Sequence, residues 1–327
     1  MSEVKDIKAE EKIALEFVNV CKKFPNVDKY AVNNVSLTVK DGEFITILGT
    51  SGSGKTTLMK MVNRLYDVTE GDIIFYGNNI ENLQPVELRR KIGYVVQQGG
   101  LFPHMTVEDN IAVVPNILKW DKERISKRVD ELLALVSLEP EIYRKRYPRQ
   151  LSGGQQQRIG IARAMAADPS VMLMDEPFGA IDAITRESLQ NELLRFQKTL
   201  KKTILFVTHD IHEAFKLGDK VIIMDDGILQ QYDTPNNIML KPANDYVRKL
   251  VSADDVMERI KNVRVDAIMI PVQDENPQPD IILDRKTSIE ESLPLFMKDK
   301  NRVIYVKDEK DRLIGQLTWN QLSLIVE

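Results

Sequence analysis

The residues best suited to chemistry lie in one run, Gly49-Thr50-Ser51-Gly52-Ser53-Gly54-Lys55-Thr56. Glycines allow backbone conformations and close approaches that a Cβ blocks. A loop of this composition can turn its N–H groups inward on an anion. The spacing predicts Lys55 against the β- and γ-phosphates of a nucleotide and the Thr56 hydroxyl on Mg²⁺. Thr57 follows as the next helix begins. A glycine-rich strand–helix turn with no ligand is the competing reading of these residues alone.

A second constellation is Asp175-Glu176, which ends the apolar run Val171-Met172-Leu173-Met174. An apolar strand ending in two acids is costly unless a metal, water or hydrogen bond engages them. The expected roles are Asp175 on Mg²⁺, directly or through its water, and Glu176 as general base toward an attacking water. Two solvated acids at a strand end are the bland alternative.

The elements that must position these residues are legible as runs. Phe44 to Leu48 reads as a strand entering the glycine loop, and Thr57 to Leu65 as a helix leaving it. Free N–H groups at that helix start suit an anion. Ile13 to Val20, Val32 to Val39, Ile73 to Tyr76 and Ile92 to Val96 are further short strands. Between Gly99 and Arg149 strand signals vanish, and Ile125, Val129, Leu132, Leu133 and Val136 recur at helical spacing. Strands return at Val171 to Met174, Thr203 to Val207, Val221 to Met224 and Ile228 to Tyr232, with helical segments at Gln155 to Ala167 and Thr185 to Lys198. This alternation predicts an α/β fold: a parallel sheet covered on both faces, interrupted by a helical insertion. Ligands of such sheets sit at the carboxyl ends of strands, which is where both constellations fall.

The totals bound the rest. A length of 327 residues suggests two domains. The net charge of -4 offers no basic surface for nucleic acid. The first twelve residues are polar and charged, unlike a signal peptide. No apolar run is long enough to span a bilayer, so a role at a membrane needs a membrane-embedded partner. The lone Cys21 fits a reducing compartment and reads as a small packing residue.

Leu151-Ser152-Gly153-Gly154-Gln155 resembles the signature sequence of ATP-binding-cassette (ABC) ATPases. Asp175-Glu176-Pro177, Gln97 after the strand Ile92 to Val96, and His209 after Thr203 to Val207 are similar to further motifs of that family, in its order, across residues 13–240. The resemblance implies a P-loop cassette with a RecA-like core, an N-terminal antiparallel β part and a helical subdomain at about 99–165. It implies ATP and Mg²⁺, and two copies packed head to tail. Each ATP then lies between the glycine loop of one copy and Ser152, Gly153, Gly154 and Gln155 of the other. Helix-opening N–H groups starting at Gln155 are expected to cap the γ-phosphate. Gln97 is implied on the metal or attacking water, His209 on the γ-phosphate, and Asp182 as the acid that crosses to the other copy. Gly179 and Ile181 depart from the family's usual serine and leucine but leave that acid in place. Phe24 matches the aromatic residue that stacks on adenine, with Tyr30 as the competing choice. A zinc site at His209 and His212 lacks further ligands at suitable spacing.

The stretch from Gln97 to Val107, with Asn110 to Pro115 and Leu118-Lys119-Trp120, resembles the subfamily that imports quaternary-ammonium osmoprotectants. The implied function is the ATP-hydrolysing subunit of an importer for glycine betaine, carnitine, choline or a related betaine such as ergothioneine. Its implied partners are a second copy, transmembrane permease subunits and an extracytoplasmic substrate-binding protein or fused domain. Its implied place is the cytoplasmic face of the membrane. Leu101, Phe102, Pro103 and Met105 are the candidate groove for a permease helix, and His104 reads as a structural or surface residue. An importer of polar amino acids, or a non-transport ATPase of translation or repair, are the alternatives.

A linker helix is expected at 241–252, and 253–327 resembles a cystathionine β-synthase (CBS) motif region, short for two full copies. Residues 253–327 hold 15 acids against 11 Lys and Arg, and the rest of the chain holds 34 of each, so the net charge sits at this end. Lys298, Lys300 and Arg302 are its basic cluster, read as a solvated face.

Overall fold

The computed structural model describes residues 12–96, 100–179, 181–252, 263–273, 279–299 and 302–326. In chain order, β1 (Ile13–Lys23) pairs antiparallel with β2 (Tyr30–Lys40). Then β3 (Phe44–Leu48) runs into α1 (Lys55–Val62). After β4 (Glu70–Phe75), β5 (Asn78–Asn79) and α2 (Pro85–Arg90), β6 (Ile92–Val95) ends the first half of the cassette. The helical part is α3 (Val107–Ile117), α4 (Lys122–Leu135), α5 (Pro140–Tyr143) and α6 (Gly153–Met165). Next come β7 (Val171–Asp175), α7 (Ala183–Leu200), β8 (Thr203–Thr208) and α8 (Ile211–Leu217). Then follow β9 (Lys220–Asp225), β10 (Ile228–Asp233), α9 (Pro235–Leu240) and α10 (Asp245–Ser252).

Two sheets build the cassette. One has the order β2-β1-β4-β5 and is antiparallel. The other has the order β10-β9-β3-β8-β7-β6, with β9, β3, β8, β7 and β6 parallel. Alternation at period two divides the parallel strands between two cores. Val171, Leu173, Leu205 and Val207 face the core shared with the antiparallel sheet. Met172, Met174, Ile204 and Phe206 face the core shared with the helical part. Covered on both faces, these strands must be apolar throughout, which is why they read as unbroken hydrophobic runs. In α4 the buried residues are Ile125, Val129, Leu132 and Leu133, the stripe that its spacing predicts.

The C-terminal segment adds β11 (Ile282–Asp284), α11 (Ile289–Lys298), β12 (Ile304–Lys307), β13 (Leu313–Leu317) and α12 (Trp319–Val326). β11 is parallel to β12, and β12 antiparallel to β13. Its own core holds Val263, Val265, Ile289, Phe296, Ile304, Val306, Leu317 and Leu322. Met239 of α9 packs against this core and also against the core under α8 and α10. Ala253 to Ile270, which resembles a shortened first CBS copy, falls partly outside the described residues, at 253–262, as does Lys300.

Candidate functional site

Three neighbouring parallel strands, β3, β8 and β7, deliver the chemistry to one end of the sheet. The glycine loop leaves β3, His209 follows β8, and Asp175 closes β7. Gly49 is buried beneath the loop, where a Cβ would collide with the carbonyl of Met224. Gly54 has φ 97° and a Cβ there would strike the carbonyl of Ala31. Both positions therefore demand glycine. Ser53 is buried and its N–H donates to the Thr50 carbonyl at 3.2 Å, closing the turn, while Thr50, Ser51 and Gly52 are exposed.

The start of α1 differs from those of six other cassette helices and, like the proline-led starts of α2 and α5, has no side-chain cap. Thr106, Asp121, Ser152, Asp182, Asp210 and Thr234 cap α3, α4, α6, α7, α8 and α9 with a side-chain oxygen. Gly54 gives α1 no side-chain cap. The first N–H groups of α1 thus have no side-chain acceptor at the end where the dipole favours an anion. Lys55 Nζ donates to the carbonyls of Gly49 at 2.8 Å and Thr50 at 2.7 Å. Burial lowers the Lys55 pKa, opposed by the charges of Glu176 and Asp175. Its charge is therefore concentrated in a poorly hydrated place, where an anion interacts most strongly.

Thr56 Oγ1 donates to Asp175 Oδ1 at 3.0 Å, across 119 residues of sequence. Asp175 is 4% exposed, and burial raises its pKa against the Thr56 bond, while Glu176 adds to the rise. A hydroxyl and a carboxylate side by side form the sparse, hard-oxygen donor pair that suits Mg²⁺, an ion that keeps much of its water. Among the described residues no group of three His, Cys, Asp or Glu side chains could hold a metal ion. Glu176 adopts φ 44°, a left-handed conformation that a non-glycine residue holds only under constraint. Its N–H donates to the Val207 carbonyl at 3.0 Å, which fixes the turn against β8. Its Oε1 stands 3.3 Å from His209 Nδ1, and the His209 side chain is 68% exposed.

The Ser152 segment lies elsewhere, at the head of α6. Here the expectation needs correcting: the helix opens at Gly153, not at Gln155. Ser152 Oγ accepts from Gln155 N–H at 3.3 Å, and Gln155 Oε1 accepts from Ser152 N–H at 3.0 Å. This reciprocal capping box explains the early start. Gln155 Nε2 also donates to the Tyr143 hydroxyl at 3.1 Å, so Gln155 holds the segment together within its own chain. Ser152 and Gly153 are exposed and Gly154 is half-buried. Asp182 Oδ1 accepts from Thr185 N–H at 3.0 Å as the cap of α7, and hydrogen bonds from Thr185 lower its pKa. Phe24 is half-buried and meets Tyr66 edge-on at 5.2 Å, with Lys22 Nζ 5.3 Å from its ring. Tyr30 donates its hydroxyl to Glu70 at 3.0 Å. Gln97 lies outside the described residues.

Two supporting residues escaped the motif reading. Asn110, fully buried in α3, accepts from Phe102 N–H at 2.8 Å and donates to the carbonyls of Phe102, Met105 and Thr106. It fastens the Leu101–Met105 turn to α3. Glu213 in α8, also buried, accepts from Gln190 of α7 at 3.0 Å. A polar residue on the apolar face of a helix was the available signal for both.

Fold and site together define a nucleotide-binding cassette: a phosphate loop and a Thr–Asp pair at the carboxyl ends of adjacent strands. The sequence profile of the family described as ABC transporter matches residues 32–179. A choline transport ATP-binding protein of Bacillus subtilis is 48% identical over 299 residues, 90% of this chain and 76% of the relative. A glycine betaine uptake system ATP-binding protein of Escherichia coli is 43% identical over 308 residues, 94% of this chain and 98% of the relative. The solved dimer of the ATP-binding cassette MJ0796, in a post-hydrolysis state with ADP and Pi, aligns with TM-score 0.62 and 37% identity, covering 67% of this chain and 98% of that one. The chain belongs to the ABC transporter family, as one of its ATP-binding proteins.

Proposed function

We propose that this chain hydrolyses ATP as the cassette subunit of an importer for quaternary-ammonium compounds such as glycine betaine, carnitine or choline. The observation that carries the reading is the Thr56–Asp175 pair beside the Glu176–His209 pair at one sheet end. The names of the relatives supply the solute class.

In this reading, the loop N–H groups and Lys55 bind the β- and γ-phosphates. Thr56 and Asp175 hold Mg²⁺, which when bound offsets charge on the phosphate oxygens. Glu176 takes a proton from the attacking water as a P–O bond forms at the γ-phosphorus, and the bond to the bridging oxygen of ADP breaks. His209 donates to a γ-phosphate oxygen and holds Glu176 in line. Gln97 serves the metal or the water. Ser152, Gly153 and Gly154 of a second copy complete the site, and its Asp182 lies beside it. Gln155 acts there by capping. Phe24 stacks on adenine.

Permease subunits dock at the turn of Leu101, Phe102, Pro103 and Met105, where Phe102 is 41% exposed and Pro103 exposed. In this reading the chain sits at the cytoplasmic face of the membrane. Among the described residues no helix is long and apolar enough to cross it. The C-terminal segment, with its strand–helix–strand–strand–helix order, acts as a single CBS-like regulatory unit. The test is ATP hydrolysis by the copurified complex in lipid, challenged with quaternary amines and polar amino acids. Stimulation by a betaine supports the proposal. Stimulation by an amino acid alone moves the solute class, and the absence of any membrane partner overturns the importer reading.

A further inference from the structure

Helix α8 begins two residues after His209 and ends against the C-terminal segment. Its start is capped: Asp210 N–H donates to Thr208 Oγ1 at 3.1 Å, and Asp210 Oδ1 accepts from Glu213 N–H at 3.1 Å. Its last carbonyls have no partner within the helix and need one elsewhere. The Ala214 carbonyl accepts from Gly218 N–H and Thr46 Oγ1, both at 3.0 Å. The Phe215 carbonyl accepts from an Nη of Arg264 at 3.2 Å. A guanidinium at a helix C-terminus satisfies an orphan acceptor and opposes the negative end of the dipole.

Arg264 belongs to the C-terminal segment, and its backbone is held there. Val265 N–H donates to the Thr287 carbonyl at 2.8 Å, and Ile289 N–H to the Val263 carbonyl at 2.8 Å. Next to it, Asp266 accepts from Asn236 of α9 at 3.0 Å and from Arg285 at 3.0 Å. Burial lowers the Arg264 pKa, opposed by the charges of Asp266 and Asp219. Clefts of about 670 and 650 Å³ open beside Arg264. It therefore makes its bond to α8 between two clefts, beside the Asn236 contacts to Asp266 and to the Arg264 N–H.

We propose that Arg264 is a positioning residue for hydrolysis: by capping α8 it lets the C-terminal segment set where His209 stands. The inference rests on the reading of His209 as a γ-phosphate contact. Displacement of a catalytic group by about 1 Å costs up to about 100-fold in rate, so a loosened α8 has a measurable effect.

The test uses the full chain and compares wild type with R264A, R264K and H209A at saturating ATP. R264A is expected to lower kcat about 3- to 30-fold with ATP binding unchanged, and R264K to recover part of it. Amide exchange in α8 should quicken in R264A. Unchanged kcat per folded R264A molecule overturns the inference, even if Tm falls. If R264A does not fold, R264K decides: a lowered kcat at wild-type Tm supports the role, and a wild-type kcat removes it. H209A separates the two levels. Loss of hydrolysis in H209A with wild-type R264A sinks only this inference, whereas wild-type turnover in H209A sinks the reading beneath it as well.

Discussion

The two segments proposed to face phosphate are finished to different degrees. At the glycine loop, Lys55 is 6% exposed and bonded to the loop's own carbonyls, and Thr56 already touches Asp175. At the signature segment, Ser152 and Gly153 are exposed, and the bonds there start α6 and tie Gln155 to Tyr143 of the same chain. One helix leaves its first N–H groups without a side-chain cap and the other caps them. The difference teaches how labour divides between copies. In the proposed reading, groups that act within the chain are buried and preorganised, while groups that would act on another copy stay exposed and are kept in shape by a local cap.

The largest expected effect breaks the loop half at the chemical step. Glu176→Gln keeps shape and removes the base, so hydrolysis should fall about 10²- to 10⁴-fold. ATP binding should persist, with a closed dimer accumulating on size exclusion. Phosphate release at the wild-type rate takes Glu176 out of the mechanism. Lys55→Ala should act earlier, weakening ATP binding about 10-fold or more through loss of a charge-assisted contact, as calorimetry would show. Ser152→Ala sharpens the contrast. It removes a cap worth about 1 kcal/mol and should leave ATP binding to the monomer intact while impairing ATP-driven dimerisation. Equal losses in both assays would mean that the two halves are not separable.

Asp175 carries a stability cost that the comparison predicts for a preorganised site. Its pKa is raised chiefly by burial, so the protonated form is favoured in the folded protein. That favourable contribution is fully present below the ordinary carboxylate range and is lost as pH rises through the raised value. Without nucleotide, Asp175→Asn should therefore stabilise the fold near neutral pH, by on the order of 1 kcal/mol. The advantage should shrink as pH falls. Melting curves across pH check the sign, and a gain that grows toward acid contradicts it.

Much of this was readable because the loop's chemistry is contiguous. Gly49 to Thr56 is one run, and its flanking strand and helix are strongly patterned. The unbroken apolar runs of β7 and β8 announced a sheet covered on both faces, and Ile125 to Leu133 announced α4. The bond between Thr56 and Asp175 spans 119 residues, and no local pattern encodes it. Nor does local pattern encode the side chain of Asn110, whose carbonyl partners are set by how the turn folds back. The start of α6 was misplaced by two residues because a capping box competes with the signature reading of the same Ser152 and Gln155. Nor does local pattern mark Arg264, whose partner Phe215 lies 49 residues away.

The smallest effect concerns the base. Phe24 and Tyr30 were rival choices for stacking on adenine, and the structure gives them unequal freedom. The Tyr30 hydroxyl is held by Glu70, whose hydrogen bond and charge raise its pKa. The Phe24 ring meets Tyr66 edge-on with Lys22 over it, and Tyr30 has Lys23 over its ring, so each keeps a ring face and only Tyr30 is tethered by a side-chain hydrogen bond. An aromatic pair contributes about 0.5–1.5 kcal/mol beyond area, which corresponds to a roughly 2- to 12-fold change in affinity. Phe24→Ala should therefore weaken ATP binding by about that factor, with kcat nearly unchanged, and Phe24→Trp should restore it. Tyr30→Phe should leave ATP affinity unchanged. A larger loss at Tyr30 than at Phe24 would transfer the stacking role, because stacking needs an open ring face and the Glu70 bond engages only the edge of Tyr30.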